Sequence, residues 1–121
     1  MAKHNYVGKL GEEIAKKHLA AQGYLILDLN WRWGKGEIDI IAQQNNVLIF
    51  IEVKTRTQNT FGYPEEAIST KKQQLMYELA IEYMYQHQHE DEFRFDVIAI
   101  TLSPATEIEH FQDAFFPSWN D

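Results

Sequence analysis

Five consecutive apolar residues, Val47-Leu-Ile-Phe-Ile51, run directly into Glu52-Val-Lys54. Side chains of a strand alternate between its two faces, so a strand that is apolar at every position is covered on both. The run predicts a central strand over 47–56, in which Leu48, Phe50, Glu52, Lys54 and Arg56 share one face. A carboxylate and an ammonium in line with a buried stripe must be paired or bound to something, because burying a lone charge is too costly. Asp39 repeats the anomaly between Ile38 and Ile40, with Glu37, Asp39 and Ile41 expected to point one way.

The rest of the chain frames this strand. Val7, Leu10, Ile14, Ala15 and Leu19 recur at spacings of three and four and predict an amphipathic helix over 7–21, stopped by Gly23. Strands are expected at 24–32 and 37–43 around the turn Gly34-Lys-Gly36. The polar turn Gln43-Gln-Asn-Asn46 makes a hairpin with the central strand. A loop with Gly62 and Pro64 follows. Thr70-Lys-Lys-Gln73 fits a capping box opening a helix to about Gln86. His87-Gln-His-Glu-Asp-Glu92 reads as an exposed loop and Arg94–Leu102 as a fourth strand. Residues 107–115 carry only a weak signal for a last strand or turn of helix. The order is α-β-β-β-α-β: an α/β fold with a mixed sheet, in a single domain over residues 1–121.

Several classes of chemistry drop out. The chain has no cysteine, which removes disulfides, thiolate nucleophiles and Cys-ligated metals. No apolar run resembles a signal sequence or approaches a membrane span, so a soluble, cytoplasmic protein with no membrane partner is expected. Net charge is −7 and unevenly spread. Residues 1–72 hold ten Lys/Arg against eight Asp/Glu, and residues 73–121 hold one against ten. This asymmetry permits a polyanion at the first half without demanding one.

Asp39 and Glu52 are expected at one end of the hairpin, close enough to repel. A divalent cation relieves that repulsion, and hard oxygen ligands suit Mg²⁺ or Mn²⁺. Two carboxylates, a metal and Lys54 suit phosphodiester hydrolysis, with Lys54 orienting or deprotonating water or stabilising developing charge. The alternative for this trio is a buried ion-pair cluster.

Gly36-Glu-Ile-Asp39, twelve intervening residues and Glu52-Val-Lys54 resemble the D…ExK signature of the PD-(D/E)xK nuclease superfamily. The wider pattern resembles the YraN-like family of small bacterial proteins. It comprises Gly11-Glu-Glu-Ile-Ala15, Gly23-Tyr24, Asn30, Arg32, Gly36–Ala42, Phe50–Arg56, Lys71 and Arg94-Phe-Asp-Val97. The resemblance implies a restriction-endonuclease-like core close to archaeal Holliday-junction resolvases. It implies Asp39 and Glu52 as metal ligands, the Val53 carbonyl as a third, Lys54 as the catalytic lysine, and a first-helix glutamate, Glu12, joining the site. Glu12 otherwise pairs with Lys16, i to i+4.

The first function expected is therefore a metal-dependent endonuclease on DNA rather than RNA, with branched or irregular DNA as substrate. A junction cutter needs two sites related by a two-fold axis, which would make it a homodimer. The alternative is a catalytically silent nucleic-acid-binding or partner-recruiting module of the same fold, and a third class is a plain adaptor. Arg56 and Lys71 are candidate phosphate contacts or simply solvated. Glu37 reads as strand-edge solubility, and Arg94 and Asp96 as a pair with each other or with the site. Gln73 and Tyr77 match a loose QxxxY pattern of RecB-like nucleases, though core packing suits Tyr77 better. Trp31 and Trp33 point the same way, beside Arg32 and Lys35. That suits stacking on unpaired bases or a buried face. His87 and His89 make a poor zinc site.

Overall fold

The computed structural model describes residues 2–58 and 68–116, with side chains from residue 6 onward. Its elements are α1 (Ala2–Ala21), β1 (Leu25–Trp33), β2 (Gly36–Gln44), β3 (Val47–Gln58), α2 (Thr70–Gln86), β4 (Phe93–Ser103) and β5 (Glu107–Phe115). The loop with Gly62 and Pro64 lies outside the described residues. The five strands form one sheet in the order β1-β2-β3-β4-β5. Neighbours are antiparallel except β3 and β4, which are parallel. This is the mixed α/β core expected, with one strand added. Among the described residues no helix is long and apolar enough to cross a membrane.

The apolar run lies at the centre of the sheet, as its composition requires. Leu48 and Phe50 face α2 and pack with Met76, Leu79 and Tyr83. Ile49 and Ile51 face α1 and pack with Ala15 and Leu19. Asn45 and Asn46, both at positive φ, close the β2–β3 hairpin, the turn geometry whose twist matches the flanking strands.

Gly11 sets how α1 lies on the sheet. A Cβ there would fall on Thr55 Oγ1 and within 2.7 Å of Thr55 Cβ and Cγ2. Only a residue without a side chain lets the helix backbone come this close to β3, and the contact carries Glu12 to the charged end of that strand.

Three local expectations are corrected. The α2 cap is Ser69, one residue before Thr70: Ser69 Oγ accepts from Lys72 N at 3.0 Å. Gln73 Nε2 instead donates to the Ile68 carbonyl at 3.0 Å, because a cap shifted by one leaves glutamine past the capping-box position. The weak segment 107–115 is a full strand. It is fastened by Asp96, which is wholly buried and accepts from Arg94 Nε (3.0 Å), Arg94 Nη2 (3.2 Å) and the Asp113 N–H (2.9 Å). His110 Nε2 lies 2.7 Å from the same carboxylate. Burial alone would raise the Asp96 carboxyl, but hydrogen bonds from His110, Arg94 and Asp113 outweigh it and hold the carboxyl below its ordinary range. Arg94 and Asp96 therefore pair with each other, and His110 joins them from β5. Glu12 does not pair with Lys16; Glu13 does, at 3.0 Å.

Candidate functional site

Paired residues of β2 and β3 run from Gln44↔Val47 to Ile40↔Ile51 and then stop. Beyond that point the strict alternation of β2 fails. Ile38 and Ile41 both face α2, while Ile40 and Ala42 face α1. Counting faces from Ile38 and from Ile41 gives opposite answers at Asp39, so the break in alternation falls at this residue. Its side chain lies in the gap between the strands, where Oδ2 accepts from the Val53 N–H at 2.9 Å. A carboxylate here does the work of a strand carbonyl. The N–H and C=O of one strand residue point to the same side, so the Val53 carbonyl faces this gap as well.

β1 breaks step at the same level. Asn30, which lies between the pairs Leu29↔Ile40 and Trp31↔Ile38, is left-handed at φ 51°. Asparagine is among the few residues that adopt this conformation readily. Its amide nitrogen donates to Glu12 Oε1 at 3.0 Å and to Glu37 Oε2 at 2.8 Å. Arg32 Nη2 holds the other Glu37 oxygen at 3.2 Å. One neutral amide thus binds a glutamate of α1 to a glutamate of β2, and both carboxylates act on Asp39.

Glu52 stands on the α2 side of β3 with its side chain 8 % exposed. Lys54 Nζ and Lys72 Nζ each lie 3.7 Å from Oε2, longer than hydrogen bonds. Oε1 is buried and has no hydrogen-bond partner among the described residues. The Asp39 carboxyl is pushed up to about 7: burial raises it most, then the Glu52 carboxylate, and Glu12 and Glu37 add to this against the Val53 N–H, which pulls it back. A groove of about 640 Å³ opens beside these groups, lined by Glu12, Val53, Lys54 and Arg56 among others.

The structure therefore brings Glu12, Asp39, Glu52, Val53 and Lys54 together, with Arg56 on the groove. Lys71 lies on the flank of α2, and its neighbour Lys72 takes the place beside Glu52. Glu37 belongs to the cluster rather than to a solvated edge. Tyr77 packs against Phe93 and Phe95. His87 and His89 serve backbone carbonyls, of Tyr83 and Glu92 respectively. Lys72 was readable from helical spacing: it leads the buried positions Met76, Leu79 and Tyr83 at steps of four, three and four. A lysine there takes an apolar place, so something must pair with it. Asn30 gave no comparable signal, because an asparagine within a strand pattern reads as a polar edge residue.

The fit of a cation can be judged from these groups. Among the described residues no three His, Asp or Glu side chains converge as a ready-made cage. Mg²⁺ does not need one. It is commonly held by one or two carboxylates and keeps several waters. A buried oxygen with no hydrogen-bond partner among the described residues, a crowded carboxyl beside it and the backbone carbonyl of Val53 are hard oxygen donors of the kind that suit Mg²⁺ or Mn²⁺.

Asp39 has a measurable consequence. Its carboxyl is raised from 3.8 to about 7 in the fold, so between those values the folded chain holds a proton that the unfolded chain has released. Stability should then be greatest at the low end of that window and fall as pH rises through it. Melting in EDTA is expected at a lower temperature at pH 7.5 than at pH 5.5, and Asp39→Asn should flatten the difference. An unchanged slope in Asp39→Asn would assign the effect elsewhere. Asp96, shifted downward, acts below 3.8 and outside this window.

Residues 11–100 match the model of the uncharacterised protein family UPF0102. A UPF0102 protein of Flavobacterium psychrophilum is 44 % identical over 96 % of this chain and 98 % of its own. One of Christiangramia forsetii is 46 % identical over the same shares. Among solved structures, that of Pyrococcus furiosus SfsA in complex with Ca²⁺ is similar at 15 % identity. Its TM-score is 0.40, over 90 % of this chain and 63 % of the other. With a family model spanning most of its length and near-full-length relatives above 40 % identity, the chain belongs to the UPF0102 family, the YraN-like family that its motifs resemble.

Proposed function

We propose that this protein is a nuclease that hydrolyses phosphodiester bonds of DNA with Mg²⁺ or Mn²⁺, acting in the cytoplasm on branched or otherwise irregular DNA. The observation that carries the reading is Glu52 Oε1, buried without a hydrogen-bond partner among the described residues beside a carboxyl that the same residue crowds. Such an atom costs stability unless something positive meets it. Asp39, Glu52 and the Val53 carbonyl are the groups that would hold the ion. When bound, the ion supplies a more acidic water and neutralises charge on the phosphate.

The chain's own residues supply the rest. Lys54 Nζ, half in solvent and close to Glu52, is placed to orient the attacking water and to hold or release a proton at that atom. Lys72 adds a second ammonium near the same carboxylate oxygen. Asn30 fixes Glu12, so that this glutamate stands beside Asp39 rather than sweeping through solvent. Arg56, on the groove, and Lys71, on α2, are the residues this reading assigns to phosphates of the bound DNA. For a four-way junction two copies would act together as a homodimer.

The test is cleavage of labelled duplex, single-stranded, flapped and four-way DNA with Mn²⁺ or Mg²⁺, beside the same reactions in EDTA and with Glu52→Gln. The reading expects cleavage that needs the metal and Glu52, strongest on the flapped or four-way substrate. Mn²⁺ binding without cleavage of any DNA would overturn it in favour of a silent binding module.

A further inference from the structure

The indoles of Trp31 and Trp33 are stacked, with ring centroids 6.5 Å apart and planes 6° from parallel. Trp31 is the inner ring. It packs against the α2-side core and meets the edge of Tyr83 at 5.1 Å and 88°. Tyr83 is itself fixed by its hydroxyl, which donates to Asp28 Oδ2 at 2.7 Å. Trp33 is the outer ring and is 50 % exposed. Trp33 thus presents half-exposed indole surface beside the turn of the β1–β2 hairpin, parallel to a neighbouring ring that is anchored in the core.

Its surroundings say what kind of molecule suits it. Lys35, in the turn next to Trp33, is exposed and has no ion pair among the described residues. Arg32 precedes Trp33 and extends to the Glu37 carboxylate of the candidate site. Trp33 pairs with Gly36 at the turn of the β1–β2 hairpin, in the strand that also carries Asn30 of the candidate site. An exposed aromatic face beside a free cation recognises a flat, electron-rich ring carrying a negative charge, and every nucleobase on its phosphate backbone is one.

We propose that Trp33, backed by Trp31 and flanked by Lys35, is a stacking platform for an unpaired base of the nucleic acid bound at the candidate site. A base within a duplex has both faces covered by its neighbours and cannot use the platform, whereas a base at a flap, gap or junction can. The platform selects for unpaired nucleotides without reading their identity, because every base has a π-face. The inference takes nucleic acid as the ligand from the function proposed above, but it does not depend on turnover.

The test measures binding in EDTA, so that no cleavage intervenes. A labelled oligothymidine and a duplex of equal length are titrated by anisotropy against the wild type, Trp33→Ala and Trp33→Phe. Removing one stacking ring should weaken oligothymidine binding by about 5- to 100-fold. Duplex affinity should change little, phenylalanine should restore most of the loss, and oligothymidine should quench tryptophan emission in the wild type but less in Trp33→Ala. Equal losses for both ligands, or no loss for either, would overturn the platform. So would a wild type that binds no oligothymidine. A dimer that Trp33→Ala dissociates in sedimentation, with oligothymidine affinity unchanged, would overturn it by assigning the ring to a second copy of the chain. Binding through Trp33 by a chain that cuts nothing would keep this inference and remove the nuclease, so the two fail separately.

Discussion

Glu52→Gln is expected to lower metal-dependent cleavage by at least ~10³-fold while the protein still folds. The size follows from what the substitution removes. A divalent ion at a phosphate contributes several kcal/mol of charge stabilisation, and about 4 kcal/mol is a thousandfold in rate. A glutamine keeps the shape of the side chain and cannot hold the ion. The fold should survive because the charge lost is one that the fold carries at a cost. Oε1 has no hydrogen-bond partner among the described residues, the two lysines stand off at 3.7 Å, and Asp39 is relieved of its main charged neighbour. In EDTA the variant should melt at or above the wild-type temperature. With Mn²⁺ only the wild type should gain, since a ligand stabilises a fold only where it binds. Cleavage by Glu52→Gln at the wild-type rate would remove the mechanism. A large loss of melting temperature in EDTA would show that the trio is a structural ion-pair cluster.

Gly11→Ala is expected to be the most damaging single methyl in the chain. The new carbon would overlap the Thr55 side chain at three atoms, and both partners sit on rigid elements, one helical and one in the sheet's central strand. Overpacking a well-filled interior costs about 1–3 kcal/mol. A clash with no rotamer to absorb it belongs at the upper end, a fall in melting temperature of ~10–15 °C for a chain of this length. If the contact is the cause, Thr55→Gly removes the three atoms concerned, and Gly11→Ala with Thr55→Gly should recover more than the two single effects predict when added. Strict additivity would place the cost in the helix itself. Even a folded Gly11→Ala should cleave poorly, because lifting α1 off β3 carries Glu12 away from Asp39.

What the sequence made legible follows a physical line. β3 was readable because a both-faces-buried strand leaves an unbroken apolar run, and Glu52 and Lys54 were conspicuous by interrupting it. α2 was readable from its stripe, though the cap was placed at Thr70 instead of Ser69, since adjacent hydroxyl residues offer the same chemistry to the first turn. β5 was hard to read because its hold on the sheet depends on Asp96, eleven residues before the strand begins. The break in alternation at Asp39 is the most instructive. Alternation assumes a regular ladder, and the ladder ends at Ile40↔Ile51. Nothing local in Gly36-Glu-Ile-Asp39 reports that the neighbouring strand has departed. Asn30 was hidden for the same reason, since its left-handed backbone answers to a bend that spans two strands.

The bond from the Val53 N–H to Asp39 bears on how a chain of this kind would drift if its chemistry were no longer needed. Lys54 is half in solvent and costs the fold little to replace, and Glu52 is a liability to it. Selection relaxed at this site should erase the lysine first and the glutamate soon after. Asp39 should persist longest, and should give way to asparagine before any other residue, because an amide oxygen can still accept from Val53. A descendant bearing Asp or Asn at this position, with both Glu52 and Lys54 gone, would be the recognisable remnant of a lineage that had kept the architecture and abandoned the reaction.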